Sequence, residues 1–575
     1  MLLYLSFNVL LNGTWDNYRY LNLGRAIYQG NGFVQLDVPE YPPETTISPG
    51  YPFLLAMIME IAGHSRPLLA MKAFNTLCYA LSIFLTAWIS VRFLKLNRMI
   101  AVMVSLYLAT NITTSAFASI IFTHSPFILF STITILMLMA YGENHKVGWL
   151  AGAAVFTALA IYVRFPGLPL AVAGFIWLLF HKRFKAACLY AGIVGTLLGI
   201  WVVPLLNSGD FGYLQQLTAK GCDYPTPPFD SLWQRYGHHL FGYAVDHIPQ
   251  RILPGLFLDT PANGKTLLPA LSAIPAINYL NGPCKITIIA LFLGETLAWA
   301  RARDCSLIVL YPLVYLLMIS AAASYWGRYV NYILPWIFLT CILGSGRLMH
   351  ALGLKTNTRR LVGILAFAFI FASILPHYAH RVRETGFHRG QLMALSRQLK
   401  QEQDNQLTSS SAISKPIPWN ALPAETCLVS NTLGGAHPYL VTGAFRWCRD
   451  NLPPHSSLMG CQTALGCFHA ERPMQLLPYW WCKFSWDHPR AILPESNEWV
   501  WREVLRQNAT HLVMNLDDPA DPCNHYMVQA VNAFPDCFQP IHIFGAPPAA
   551  AVILKIDTEL LKNTLQNRNV EDMPE

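Results

Sequence analysis

Charge is what this chain has least of. Only 13% of its 575 residues are Asp, Glu, Lys or Arg, against about 25% in ordinary soluble domains, and so few charges cannot cover the surface of a water-soluble protein this long. Several chemical signatures are missing too. The C-terminal part has neither a glycine-rich phosphate loop nor a nucleophile elbow and shows no sign of chemistry of its own. Cys461, Cys467 and His469 fit no zinc-ligand spacing. The apolar N-terminal segment has no basic n-region and no small-residue cleavage site, which argues against a cleaved signal peptide. The net charge of +8 comes from short Lys/Arg clusters between apolar runs, a pattern that orients a protein in a membrane and does not suggest nucleic-acid binding.

What the chain has instead is apolar sequence, with 53% hydrophobic residues. These follow one another in stretches from Met1 to about Pro376, whereas His377 to Glu575 has a globular composition. Stretches of about 17 to 25 apolar residues cross a bilayer as helices, because only helices or closed barrels satisfy their backbone there. Such stretches run near 68–91, 99–121, 125–141, 147–163, 165–180, 187–206, 286–300, 305–323, 329–346 and 361–376. With the short segment Met1 to Leu11 they predict about eleven spans. The expected fold is mostly α: a polytopic transmembrane helical bundle over 1–376, with outer loops at 12–67 and 207–284, followed by a small α/β domain over 377–575. That domain is expected from a helix-like run ended by Pro453 and Pro454, a further amphipathic helix at Trp499 to Gln507, and strands at Thr510 to Asn515 and Ala549 to Ile556. A lid or an acceptor-docking role is as far as its residues lead.

Lys and Arg assign the sides. Arg92, Lys95 and Arg98, then Lys146, then Lys182, Arg183 and Lys185, then Arg301 and Arg303, then Arg347, Lys355, Arg359 and Arg360 fall in every second connection, as cytoplasmic loops do. The two long loops and the C-terminal domain are thereby expected outside. Nine of the 13 cysteines lie in those outer regions, where an oxidising compartment permits disulfides.

The informative polar residues sit at the outer ends of the spans. Asp16 opens W-D-N-Y-R-Y-L-N-L-G-R-A-I-Y-Q-G-N-G-F, an interfacial amphipathic helix ended by Gly30 and Gly32, with Tyr18, Tyr20 and Tyr28 suited to a headgroup layer. A proline-rich turn follows, with Pro49, Gly50 and Pro52 leading into an apolar run. Arg164 interrupts I-Y-V-R-F-P-G, and Arg328 lies in S-Y-W-G-R-Y-V-N-Y. Taken singly, Asp16 reads equally well as a solvated loop carboxylate, and either arginine as one that snorkels to headgroups. Two arginines on the same side as Asp16 fit an anionic phosphate better. His124, in F-T-H-S-P-F, is a weaker candidate that alone reads as a helix-end polar residue.

Together these segments resemble the GT-C superfamily of membrane glycosyltransferases, in particular the bacterial group related to protein O-mannosyltransferases (glycosyltransferase family 39) and the aminoarabinose transferase of lipid A. The resemblance rests on Asp16 with the following A-x-Y-x-G-x-G-F pattern, P-G-Y-P at Pro49 to Pro52, Arg164 with Phe165, Pro166 and Gly167, G-R-Y at Gly327 to Tyr329, and W-C-R-D-N-L-P-P at Trp447 to Pro454. It implies an inverting transfer of a sugar from a polyprenyl-phosphate carrier to an acceptor hydroxyl or amine on a protein, lipid or glycan, at the outer face of a bacterial inner membrane. Asp16 becomes the candidate general base. Arg164, Arg328 and Tyr329 become candidates for the carrier phosphate, whose charge grows as the glycosidic bond breaks. Tyr18 and His124 become candidate donor or acceptor contacts. Relatives often carry an acid where His124 stands, so a second carboxylate, or a ligand for a divalent cation, would have to come from elsewhere, with Glu40 and Glu44 as candidates.

Two other readings compete. A transporter or flippase for a lipid-linked or small solute predicts midplane polar residues and an internal repeat, and neither is visible. A lipid-linked-glycan ligase or polymerase would place its essential residues in one large outer loop, and the 207–284 loop, with Asp210, Asp223, Asp230, His238, His239, Asp246 and Asp259, keeps that reading open.

Overall fold

In the computed structural model, the described residues are 11–12, 15–36, 41, 43–62, 67–207, 231–253, 275–302, 306–321, 327–375, 378–379, 382, 429–430, 438–453, 456–460, 474–476, 505, 508–515, 531, 534–546 and 549–571. The chain forms two compact units. One comprises Met1–Asn8, Thr45–Tyr51 and Ala70–Phe387, and the other Val9–Glu44, Pro52–Leu69 and His388–Glu575.

In chain order the helices are α1 (Trp15–Tyr28), α2 (Gly50–Ala62), α3 (Pro67–Arg92), α4 (Arg98–Thr110), α5 (Ile112–Ala118), α6 (His124–Asn144), α7 (Val147–Val163), α8 (Leu168–Phe180), α9 (Phe184–Asn207), α10 (Leu232–Gly242), α11 (Ile248–Ile252), α12 (Pro275–Ala302), α13 (Leu307–Ile319) and α14 (Leu334–Ala351). Then come α15 (Thr356–Leu375), α16 (Pro438–Asn451) and α17 (Thr558–Glu571). The expected helical bundle is present, but the count of about eleven spans is not confirmed: among the described residues five helices are long and apolar enough to cross a membrane, and five shorter apolar ones accompany them.

In the first unit α6 packs on α7, α7 on α9, α8 on α9 and α13, and α12 and α13 on α14. Burial separates centre from rim, since 67% of the apolar window of α6 is inside the protein and only 6% of that of α15. The stretch expected as one span over 99–121 is two helices, because Asn111 ends α4 and caps α5, its side chain accepting from the Thr113 N–H at 3.0 Å. The outer loop expected to reach 284 ends earlier, with α12 starting at Pro275.

In the second unit α1 ends at Tyr28, and Gly30 and Gly32 turn the chain at φ of +80° and +83°, as their sequence suggests. Gly24 of α1 lies against Pro52 and Leu55 of α2, where an added Cβ would come within 3.0 Å of the Leu55 Cβ. Tyr18 and Tyr20, expected in a headgroup layer, are buried, while Tyr28 is exposed. Leu11–Asn12 (β1) pairs in parallel with Val429–Ser430 (β2). A five-stranded mixed sheet holds β3 (Leu458–Gly460), β4 (Met474–Leu476), β5 (His511–Asn515), β6 (Phe538–Ala546) and β7 (Ala549–Ile556) in the order β4-β3-β5-β7-β6. Ala444, Phe445 and Cys448 of α16 close one core with Leu458, Val513 and Ile553. The α/β character is as expected. The helix expected at 499–507 falls largely outside the described residues, and Cys284 and Cys537, expected where disulfides are permitted, are free thiols.

Candidate phosphate-binding site

Arg164 follows α7 in extended backbone, and Phe165–Gly167 then folds back as a 3-10 turn. Gly167 permits this, because a Cβ there would lie 2.9 Å from the Ile161 backbone. Gly50 meets the same helix end, its position leaving 2.7 Å between an added Cβ and the Tyr162 backbone. Two motifs far apart in sequence, P-G-Y-P and R-F-P-G, therefore touch in the fold, and both need glycine for it.

The Arg164 side chain is 9% exposed. Its Nη1 donates to Thr123 Oγ1 at 2.8 Å, and its guanidinium carbon lies 4.9 Å from the Tyr332 ring centre, 5.5 Å from that of Phe122 and 5.6 Å from that of Tyr329. The Arg328 guanidinium carbon is 5.7 Å from the same Phe122 ring. One aromatic ring thus lies near both predicted arginines, at distances where a ring quadrupole attracts a cation. Arg328, Tyr329 and Tyr332 share the 3-10 turn Gly327–Tyr332, which is held by Tyr315 Oη donating to the Tyr329 carbonyl at 3.2 Å and by Asn331 Nδ2 donating to the Thr113 carbonyl at 3.1 Å.

His124 is part of the same cluster, with its ring stacked between Phe117 (4.4 Å) and Tyr332 (3.9 Å). Arg164, Arg328 and Arg251 all act on it electrostatically. Arg251 belongs to α11, in the outer loop. Its carbonyl accepts from Asn111 Nδ2 at 2.8 Å, and burial pulls its guanidinium down to about 10, so it stays charged at neutral pH. One turn away, burial and then Arg251 push His247 down to about 4.

Sequence reasoning singled out Arg164, Arg328, Tyr329 and His124, and the fold gathers these four. It missed Phe122 and Thr123, which adjoin His124, and Arg251, which the loop's acids and histidines overshadowed. It also missed Lys72, a buried lysine in apolar α3, although a cation inside such a helix is itself a signal. Lys72 shares a helix face with Asn75 and Thr76, which bond the 118–122 backbone. The remaining predicted residues belong to the second unit. Asp16 is the second residue of α1, its side chain outside the described residues; Tyr18 is buried; Glu40 lies outside the described residues. Glu44 is buried and paired with Arg19 at 2.7 Å. Among the described residues, no three His, Cys, Asp or Glu side chains gather to hold a metal ion.

Comparison with known proteins accords with this architecture. Residues 43–206 match the family model described as dolichyl-phosphate-mannose-protein mannosyltransferase. The structure of ArnT from Cupriavidus metallidurans in the apo state is similar at a TM-score of 0.52 and 12% identity, over 97% of this chain and 96% of that one. The fold is that of the ArnT structure. ArnT bound to undecaprenyl phosphate gives a TM-score of 0.50 at 12% identity and the same coverage. No curated protein sequence matches the chain. The structural similarity to ArnT runs nearly end to end, whereas the family model covers α2 to α9, the part that carries Thr123, His124 and Arg164.

Proposed function

We propose that the chain transfers a sugar from a polyprenyl-phosphate carrier to an acceptor hydroxyl or amine at the outer face of a bacterial inner membrane, with inversion. The observation that carries this reading is the meeting of Arg164 and Arg328 on Phe122, beside His124 and within electrostatic reach of Arg251. A cluster of guanidinium groups beside apolar helices suits an anionic headgroup whose tail stays in lipid. The ArnT neighbour was solved with undecaprenyl phosphate, a carrier of the class proposed here.

In the proposed reaction the acceptor oxygen or nitrogen attacks the anomeric carbon, the bond from that carbon to the phosphate oxygen breaks, and polyprenyl phosphate leaves. Asp16 takes the acceptor proton. Arg164 and Arg328, with Tyr329 beside them, stabilise the charge that grows on the departing phosphate. The outer placement of the C-terminal domain is supported by the alternation of Lys/Arg clusters and by its sharing one compact unit with the first loop.

The test uses the full chain in liposomes with a polyprenyl-phosphate sugar. Asp16→Asn is expected to abolish transfer while binding of polyprenyl phosphate persists, and Arg328→Ala to weaken that binding. Full turnover by D16N would remove Asp16 from the base role, and unchanged carrier binding by R328A would remove the phosphate site.

A further inference from the structure

His124 is 1% exposed, and neither of its ring nitrogens has a hydrogen-bond partner among the described residues. A stranded buried polar atom destabilises the fold, so the fold keeps this imidazole against its own stability. Phe117 and Tyr332 cover the two faces of the ring and leave only its edges, where the nitrogens lie, for polar contact. Arg164, Arg328 and Arg251 bear on it from α7, the 3-10 turn and α11. A neutral imidazole carries one N–H and one lone pair. A phosphate oxygen can accept from the N–H. It cannot satisfy the lone pair, which needs an O–H or N–H.

We propose that His124 is a specificity-determining residue that grips the donor at two points, giving its N–H to a phosphate oxygen and accepting from a hydroxyl or amino group on the sugar carbon next to the glycosidic bond. This rests on the reading of the cluster as the carrier-phosphate site. The substrate class it selects is a polyprenyl-phosphate sugar with that neighbouring group free. A 2-deoxy sugar would leave the lone pair stranded and be rejected.

The experiment pairs His124→Phe, which keeps the aromatic stack and removes both nitrogens, with three probes in liposomes: polyprenyl phosphate alone, a polyprenyl-phosphate hexose turned over by the wild type, and its 2-deoxy counterpart. The thermal unfolding temperature of H124F is expected to hold or rise. Its kcat/KM for the hexose donor is expected to fall about 10²- to 10⁴-fold, the size of two lost hydrogen bonds with their partners stranded. The wild type should lose about 10- to 100-fold on the 2-deoxy donor, the size of the sugar-side bond alone, and H124F should lose little more on it, because that bond is already gone. His124→Gln, which keeps a donor and an acceptor, should recover part of the loss and serves as the second variant if H124F fails to fold. An equal 2-deoxy penalty in wild type and H124F, or unchanged turnover by H124F, overturns the role of His124 alone. Failure of the wild type to bind polyprenyl phosphate overturns the carrier reading and this inference with it.

Discussion

Replacing Arg164 by methionine separates the demands of folding from those of chemistry. The guanidinium carbons of Arg164 and Arg328 lie 5.5 and 5.7 Å from one ring centre, so their separation cannot exceed the sum of those distances, about 11 Å. At an effective dielectric constant of about 20, two like charges that close repel by at least about 1.5 kcal/mol. Methionine fills much of the same volume and removes that repulsion. It forfeits the hydrogen bond to Thr123 Oγ1, worth about 1.5–3 kcal/mol for a charged donor. It also forfeits the attraction of the Phe122, Tyr329 and Tyr332 rings for the cation, so R164M should melt moderately below the wild type. Function should respond differently. A single negative charge about 5 Å from a guanidinium is attracted by about 3 kcal/mol at the same dielectric constant. Binding of the polyprenyl-phosphate sugar, a diester with one charge, should therefore fall about 100-fold, and kcat/KM for transfer about 10⁴-fold, because the leaving phosphate gains a second charge in the transition state. Carrier binding to proteoliposomes and initial transfer rates, each normalised to folded protein, measure these two numbers. A variant that melts far below the wild type yet turns over normally once folded would make Arg164 a structural residue and refute the reasoning.

Three further outcomes follow from the geometry. Gly50→Ala should destabilise the protein by about 1–3 kcal/mol, as overpacking does, because its Cβ would sit 2.7 Å from the Tyr162 backbone; thermal unfolding in detergent reads this, and an unchanged midpoint would mean the two segments do not meet. His247 is held down to about 4 by burial first and by Arg251 second, with Asp246 opposing. The unfolded chain therefore binds more protons below about 6.5, and stability should fall by about 1–2 kcal/mol between pH 7 and pH 5; chemical denaturation at both pH values checks this, and His247→Gln should flatten the slope. Asn111→Ala removes both the cap of α5 and the tether to the Arg251 carbonyl. It should cost about 1–2 kcal/mol and, if the tether positions Arg251, also weaken carrier binding beyond that of a cap variant placed elsewhere, such as Asn97→Ala.

How much of this was legible in the sequence depends on which physical signal each residue carries. Arginines at the outer ends of apolar helices are costly unless partnered, so Arg164 and Arg328 stood out without a structure. The glycines of P-G-Y-P and F-P-G were visible as turn formers, but that both pack on the end of α7 depends on tertiary approach, which spacing does not encode. Phe122 was invisible for a different reason: in a chain where 13% of residues are aromatic, one phenylalanine in an apolar run has no signature until two cations arrive near its ring. The break at Asn111 was missed because hydropathy averages over a window and a single capping side chain hardly moves it. The three-residue β4 was too short to show alternation, and in β6 Pro540 and the register shift between Pro540 and His542 interrupt it.

The segment from Ser119 to Thr123 explains why the cluster sits where it does. It is unwound between α5 and α6, and unwound backbone beside lipid is tolerated only where protein groups take up its carbonyls. Asn75 supplies them. Its Nδ2 donates to the Ile120 carbonyl at 2.6 Å and to that of Phe122 at 3.1 Å, while Thr76 Oγ1 donates to the Ala118 carbonyl at 3.0 Å. The polar residues of α3 that look misplaced in a membrane helix thus stabilise a non-helical stretch, and that stretch presents in succession a ring for two guanidinium groups, a hydroxyl that accepts from Arg164, and the imidazole of His124. A continuous helix through these positions would spread three consecutive side chains about 100° apart around its axis. Breaking the helix lets Phe122, Thr123 and His124 serve one site, and Asn75 is the residue that lets the break persist.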